Sequence, residues 1–353
     1  MELKNYNPDD VGQANGKLFG LPFTYQNSKA IVLPVPWDVT TSNVGGTSRG
    51  PQAILDYSPQ IDLFNKNDKE HWKQGFFMKP INKNWLDKND YLRSKSVEYI
   101  NFLESGGKLK DSVSMTLILN EINRVGGELN DWVYTETKQL LADDKLPLVL
   151  GGEHSCPLGL MRAINEKYND WGILQIDAHA DLRVAYEGFT YSHASIMHNA
   201  MQLKNLTSLV SVGVRDYCKQ EFEVADENPK IHPFYMDDLV EMELTELKSW
   251  KTICETIIWK LPKYVYVSFD VDGLDVQYCP NTGTPVPGGL QFNKAIYLLQ
   301  SIFKANKCII AADLCEISTG KYPIIDNAAE INSNIGCRIL FNLLNLMIQT
   351  NQT

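Results

Sequence analysis

Gly172-Ile-Leu-Gln-Ile-Asp-Ala-His-Ala-Asp181 runs from a short apolar stretch straight into three ligand-type side chains, Asp177, His179 and Asp181. Two other stretches end in the same way. Residues 147–150 lead into Gly151-Gly-Glu-His-Ser155, and the run 264–269 ends in the motif Ser268-Phe-Asp-Val-Asp-Gly-Leu-Asp275. In an extended segment, side chains two apart point to one side. Asp177, His179 and Asp181 can therefore converge on one point, and so can Asp270 and Asp272. With His154 the set holds four carboxylates and two imidazoles. That is too many for one ion and suits two ions sharing bridging carboxylates. The set is rich in hard oxygen and free of thiolate, which favours Mn²⁺ over structural zinc. Two such ions hold a water and deprotonate it at neutral pH.

Residues 30–35, 208–214 and 308–312 are further apolar runs, separated by longer segments with helical spacing. Continuous apolar strands belong to parallel sheets covered on both faces. Their alternation with helices predicts an α/β fold, a three-layer αβα architecture around a mostly parallel central sheet. Each acidic motif follows a strand, and open α/β sheets bind ligands at the carboxyl ends of strands. Residues from about 65 to 125 break the alternation, with polar stretches at 65–72 and 82–88 and helical patterns at 96–103 and 114–124. We read them as an elaboration within one domain spanning residues 1–353. Residues 327–348 are apolar at helical spacing and predict a C-terminal helix packed on the sheet.

The chain has 353 residues, 44% of them apolar, which is enough for a sizeable core. Its formal net charge is −10, and no basic run or aromatic-basic patch points to nucleic acid. Acidity keeps the chain soluble and mildly favours cationic substrates. The seven cysteines form no CxxC pair, and their odd number argues against a disulfide framework, so reduced core positions are expected. The opening Met-Glu-Leu-Lys-Asn-Tyr lacks the apolar centre of a signal peptide, and no apolar run approaches about 18 residues. The expectation is a cytoplasmic protein with no membrane span.

These motifs resemble, in order and spacing, the ureohydrolase family of arginases, agmatinases and formimidoylglutamases. Asn281-Thr-Gly-Thr-Pro285, Pro34-Val-Pro-Trp-Asp38 and Gly45-Gly-Thr-Ser-Arg-Gly-Pro-Gln-Ala-Ile54 add to the likeness, which covers most of the chain except 65–125. The resemblance implies an arginase-like fold and two Mn²⁺ per chain. One would sit on His154, Asp177, Asp181 and Asp270, the other on Asp177, His179, Asp270 and Asp272, with Asp177 and Asp270 bridging. It implies attack of a bridging hydroxide on a guanidinium or amidine carbon, followed by loss of the amine. Asp272 would also hydrogen-bond the hydroxide. His193, in Tyr191-Ser-His-Ala-Ser195, stands where the family keeps a general acid/base or proton shuttle, which suits an imidazole. Glu316, in Asp313-Leu-Cys-Glu-Ile317, matches the carboxylate that binds the guanidinium. The family's usual Glu-Val-Asn-Pro is replaced here by Glu316-Ile-Ser-Thr-Gly320, so this wall of the site departs from the pattern. Homo-oligomers, trimers or hexamers, are also implied.

Arginases hold the amino-acid end of their substrate with an Asn two residues after the third motif Asp, and here that position is Arg183. The run Asp181-Leu-Arg-Val-Ala-Tyr-Glu-Gly188 with Ser192-His-Ala-Ser195 is similar to agmatinases. The expected reaction is therefore agmatine to putrescine and urea. Formimidoylglutamate hydrolysis to glutamate and formamide, guanidinobutyrate hydrolysis and a Ni²⁺ enzyme stay open. Arg183 admits two roles: a clamp for a substrate carboxylate, or a partner for Glu187 that shapes the loop. His193 could be a hydrogen-bonded core histidine, and Glu316 a salt-bridged strand end. His71, His198 and His232 read as surface or capping residues. A single-zinc deacylase would need only one ion, a two-metal phosphoesterase would need a Lys/Arg cluster near the motifs, and a non-catalytic member would have lost a ligand. All six ligands are present.

Overall fold

Eight apolar runs form one sheet in which every pairing is parallel. They are β1 (Ala30–Val35), β2 (Phe76–Met78), β3 (Leu146–Gly151), β4 (Trp171–Ile176), β5 (Leu206–Val212), β6 (Ile231–Phe234), β7 (Tyr264–Asp270) and β8 (Cys308–Cys315). The order across the sheet is β2-β1-β3-β8-β7-β4-β5-β6. The computed structural model describes residues 6–66, 70–319 and 327–352, with side chains in the last segment from Glu330 onward. Parts of the polar 65–72 stretch, Gly320 and the first five residues lie outside the described residues.

The sequence predicts six of these strands. It misses β2 and β6, which are three and four residues long and lie at the two edges of the sheet. Runs that short carry no periodicity, and Pro233 within β6 is a residue that sheets admit chiefly at an edge. The inner strands β1, β3 and β4 are buried along their whole length, as continuous apolar runs require.

Ten helices follow among the described residues: α1 (Gly50–Tyr57), α2 (Lys83–Glu104), α3 (Val113–Ala142), α4 (Leu158–Lys167), α5 (Ile196–Ala200), α6 (Lys219–Glu227), α7 (Met236–Leu244), α8 (Trp250–Trp259), α9 (Phe292–Lys304) and α10 (Asn327–Thr350). Residues alternate between two apolar cores along each strand. Leu148, Leu174 and Val265 face a layer containing α8, α9 and α10, while Val149, Ile173 and Tyr266 face one containing α3 and α4. The 65–125 stretch supplies α2 and the first half of α3, both longer than the patterns at 96–103 and 114–124. Polar outer faces mask their extent in the sequence. Asn82 starts α2 by accepting the N–H groups of Asn84 and Trp85.

The strands β3, β8, β7 and β4 are consecutive neighbours. Their carboxyl ends therefore lie side by side, about 4.8 Å apart per step. The tightest point is the turn after β3. Gly152 donates to Val35 O (3.1 Å) and Glu153 to Trp37 O (2.8 Å). A Cβ on Gly152 would lie 1.8 Å from Trp37 O, a main-chain atom that cannot rotate away. Gly152→Ala should destabilise the chain by at least the ~1–3 kcal/mol typical of overpacking, measured by urea unfolding. Wild-type stability in this variant would refute the close approach.

Candidate metal centre

The ligand motifs converge by turning, not by strand alternation. Asp177 Oδ1 accepts the N–H of His179 (2.7 Å), and Asp270 Oδ1 accepts the N–H of Asp272 (2.9 Å). Each carboxylate thus folds the chain back on itself, which brings the residue two positions on to the same side. Asp181 lies in the left-handed region at φ 54°, a conformation that Asp tolerates better than most residues. Convergence holds as expected, and its cause is the local turn.

His154 Nδ1 lies 2.9 Å from Asp181 Oδ2, 3.0 Å from Asp177 Oδ2 and 3.3 Å from Asp270 Oδ2. His179 Nδ1 lies 3.1 Å from Asp272 Oδ2 and 3.5 Å from Asp177 Oδ1. Two groups result, His154/Asp177/Asp270 and Asp177/His179/Asp272, each able to hold an ion. Asp177 belongs to both and turns one oxygen to each. Five of the six side chains are buried, and His179 is 22% exposed. His179 is the side of the site nearest solvent.

The donor set fits divalent cations. His154 Nε2 is 2.8 Å from Ser268 Oγ, whose hydroxyl donates to Asp313 Oδ1 (3.1 Å), and Asp313 Oδ2 accepts the Tyr266 hydroxyl (2.7 Å). Ser268 has spent its proton on Asp313, so it accepts from Nε2–H. His154 Nδ1 is then the nitrogen left to face three carboxylate oxygens, and it makes no well-directed hydrogen bond with any of them. Burial, then the neighbouring Asp177, pushes Asp181 up to about 7. Burial and the Asp272 and Asp177 charges push Asp270 well above the carboxylate range. Burial disfavours the charged forms of His154 and His179, yet the carboxylates around them raise both well above 6.5. Such a concentration of anionic oxygen calls for positive charge at its centre.

Neighbouring groups that the sequence reading did not name hold the ligands in place. Gln175 Nε2 donates to Asp177 Oδ2 (2.9 Å) while its Oε1 accepts the Ser211 hydroxyl (2.7 Å). Asp272 Oδ1 accepts the N–H of Ala178 (3.0 Å), and Thr284, within the quoted Asn281–Pro285 motif, donates to Asp272 Oδ2 (3.3 Å). Arg215 spends its donors on main-chain oxygens, including those of Asp272 (2.7 Å), Gly213 (2.9 Å) and Val286 (2.7 Å). Thr284 and Ser268 stand inside recognised motifs. Gln175 and Arg215 are hidden because strand interiors and loops give polar residues no spacing signal.

Glu316 is buried at the end of β8, with φ 63°. Its Oε1 accepts the N–H of His154 (2.8 Å), and its Oε2 is buried without a hydrogen-bond partner. No basic side chain pairs with it among the described residues, so the salt-bridged alternative does not apply. Burial and the adjacent Glu153 raise it well above the usual carboxylate range. His193 is half-buried; its ring lies 6.3 Å from that of Tyr186 and its N–H donates to Thr40 Oγ1 (3.1 Å). Burial and the His179 and His154 imidazoles push His193 down to about 3.

Two expectations need correction. Arg183 pairs with Glu221, not Glu187: its Nε is 3.4 Å from Glu221 Oε2 and its guanidinium stacks 4.7 Å from the Tyr186 ring. Glu221 is the buried capping residue of α6, whose carboxylate also accepts the N–H groups of Leu182 and Cys218. Glu187 sits at φ 55°, where burial and Glu104 raise it to about 7. His71 is buried in the turn His71–Gln74, which packs against α10, so it is not a surface residue. All seven cysteines are free, and five are buried.

Chelation supplies a test. A carboxyl raised from 3.8 to about 7, as for Asp181, binds more protons folded than unfolded in between. Its stabilisation is present below the unfolded value and is lost as pH rises through the folded one. The chelated protein should therefore lose Tm as pH rises from about 5 to 8, and added Mn²⁺ should raise Tm most at the upper end. A chelated protein with flat stability over this range would contradict the electrostatic account.

The sequence matches the Arginase family over residues 28–345. It is 29% identical over 320 residues to the agmatinase of Bacillus subtilis, covering 91% of this chain and 92% of that one. It is 27% identical over 310 residues to the N(1)-aminopropylagmatine ureohydrolase of Thermus thermophilus, covering 87% and 89%. The fold is that of the proclavaminate amidino hydrolase of Streptomyces clavuligerus (TM-score 0.71, 21% identity, 97% of this chain and 100% of that one). The arginase of Bacillus cereus shares it as well (TM-score 0.60, 21% identity, 89% and 98%). With a family match that takes in the whole ligand set and a fold shared over nearly the full length, this chain belongs to the arginase family.

Proposed function

We propose that this chain hydrolyses a C–N bond of a linear guanidino compound, agmatine to putrescine and urea, with two Mn²⁺ held by His154, Asp177, His179, Asp181, Asp270 and Asp272. When bound, the ion pair supplies a hydroxide at neutral pH beside the guanidinium carbon. The same donors also accept Ni²⁺. Asp177 shares its two oxygens between the sites. Asp270 offers Oδ2, while its Oδ1 keeps the turn to Asp272 closed. Glu316 already spends Oε1 on the His154 N–H, so its unpartnered Oε2 is the atom that accepts from a substrate guanidinium N–H. His193, held neutral by burial, takes up the proton that the attacking water loses and passes it to the departing amine.

The pairing of Arg183 is the observation that carries the choice of substrate. Glu221 holds the Nε edge of the Arg183 guanidinium and Tyr186 covers one face, which ties this cation to the α6 cap. That favours agmatine over formimidoylglutamate or guanidinobutyrate. The two relatives, an agmatinase and an aminopropylagmatine ureohydrolase, support the same direction.

The deciding assay incubates the Mn²⁺-loaded protein with agmatine, arginine, guanidinobutyrate and formimidoylglutamate, and follows urea and formamide. Urea from agmatine is expected. Formamide from formimidoylglutamate, with no urea from any guanidino compound, would overturn the substrate reading. Asp177→Asn should lose both ions and activity, because an amide offers one neutral acceptor where two charged oxygens are needed. His193→Ala should keep two ions and slow turnover by roughly 10²–10⁴. Arg183→Ala and Glu221→Ala should impair every substrate alike, with similar KM changes. A KM effect confined to carboxylate-bearing substrates would make Arg183 a substrate clamp.

A further inference from the structure

Glu153 stands inside the Gly151–Ser155 motif, two residues past β3, and is not one of the candidate ligands. Its side chain is fully buried. Every partner it has is neutral. Oε2 accepts the Thr40 N–H (2.8 Å), while Oε1 accepts the Thr40 hydroxyl (2.8 Å) and the Ser155 hydroxyl (2.6 Å). A carboxylate can only accept, so the Thr40 proton is committed to Glu153. Thr40 Oγ1 then has only lone pairs for His193. It accepts the His193 N–H (3.1 Å), and His193 Nδ1 lies 3.4 Å away.

We infer that Glu153, through Thr40, fixes the tautomer of His193: Nδ1 carries the proton and Nε2 is the basic nitrogen. Among the described residues, Ser192 is the one other hydroxyl near Nδ1, also at 3.4 Å. Its oxygen accepts the Ala194 N–H (3.2 Å), and it can turn either way. With Nδ1 protonated, Thr40 and Ser192 both accept from it. With Nδ1 bare, Thr40 sets a lone pair against a lone pair and only Ser192 can compensate. The first arrangement satisfies more groups. Glu153 and Thr40 are thus positioning residues. They span three strand ends, since Glu153 follows β3, Thr40 follows β1 and His193 follows β4. The inference deepens the role proposed for His193 and rests on that reading only for its catalytic consequence.

Glu153→Gln reverses the device. The amide oxygen must take the Thr40 N–H, since an NH₂ there would face another donor. The NH₂ then occupies the Oε1 position and donates to Thr40 Oγ1. The freed Thr40 proton turns to His193 Nδ1, and His193 should switch to the Nε2–H tautomer. The test is long-range ¹H–¹⁵N correlation of the full chain, ring-¹⁵N-labelled at histidine and loaded with diamagnetic Zn²⁺, at about pH 9, above the value of about 7 to which burial raises Glu153. His193→Gln assigns the signal. Wild type, Ser192→Ala and Thr40→Ser should show Nδ1–H, and Glu153→Gln should show Nε2–H. An Nε2–H wild type, an unswitched Glu153→Gln, or a switch caused by Ser192→Ala would each overturn the inference. If Glu153→Gln fails to fold, Thr40→Val provides the second variant and should lose the preference that Thr40→Ser keeps. Turnover separates this from the parent reading. A correct tautomer pattern together with a fully active His193→Ala protein would remove His193 from the chemistry and leave the tautomer assignment standing.

Discussion

Four adjacent strand ends bury more negative charge than a protein interior tolerates unaided. Asp177, Asp181, Asp270, Asp272, Asp313 and Glu316 are all at or below 5% exposure, and Glu153 lies beside them. Removing one carboxylate from water costs several kcal/mol even after relaxation. Arg215 is the large cation nearest this group, and it gives its protons to main-chain oxygens. The fold thus builds an anionic cavity whose compensation must come from outside the chain. Two divalent ions and a cationic substrate answer that requirement in kind. Without ions the site meets that requirement by holding protons on Asp181, Asp270, His154 and His179, all of which are raised.

The same carboxylates also shape the loops. Asp270, Asp272 and Glu316 each give one oxygen to a main-chain N–H and leave the other toward the cavity. Asp177 accepts on both oxygens, from His179 N–H and from the Gln175 amide, and each oxygen still faces one of the two imidazoles. A ligand anchored by its first oxygen has little freedom to rotate its second, so the cavity is set before an ion arrives. The arrangement makes a ligand substitution an injury to the turn as well as to the charge.

Much of this was legible in the chain. Strand-then-acid motifs have a local signature, so the six candidate ligand side chains, which the fold brings together, and the inner strands are legible directly. Glu316 and His193 were reached by resemblance, since neither has a neighbour that announces its chemistry. What stayed hidden depends on contacts between distant segments. Arg183 was paired with the acid four positions on, but the acid that meets it is Glu221, placed there by the α6 cap. The edge strands were too short to show a period. His71 is polar in sequence and buried only because α10 returns across it.

Glu316 keeps its contacts although the residues after it depart from the family pattern. The residue is held in the left-handed region, a conformation costing roughly 1–3 kcal/mol for a side chain of this kind. Its own N–H donates to Gly152 O (2.9 Å), its C=O accepts the Thr282 hydroxyl (2.9 Å), and its Oε1 takes the His154 N–H. None of these contacts involves the altered residues that follow. Ile317, next in the chain, is buried, and its main-chain oxygen lies so close to Gly50 that a Cβ there would sit at 2.3 Å. Ile317 therefore packs against α1. Glu316 is held by Gly152, just past β3, and by Thr282, so its unpartnered Oε2 keeps its place whatever residues follow.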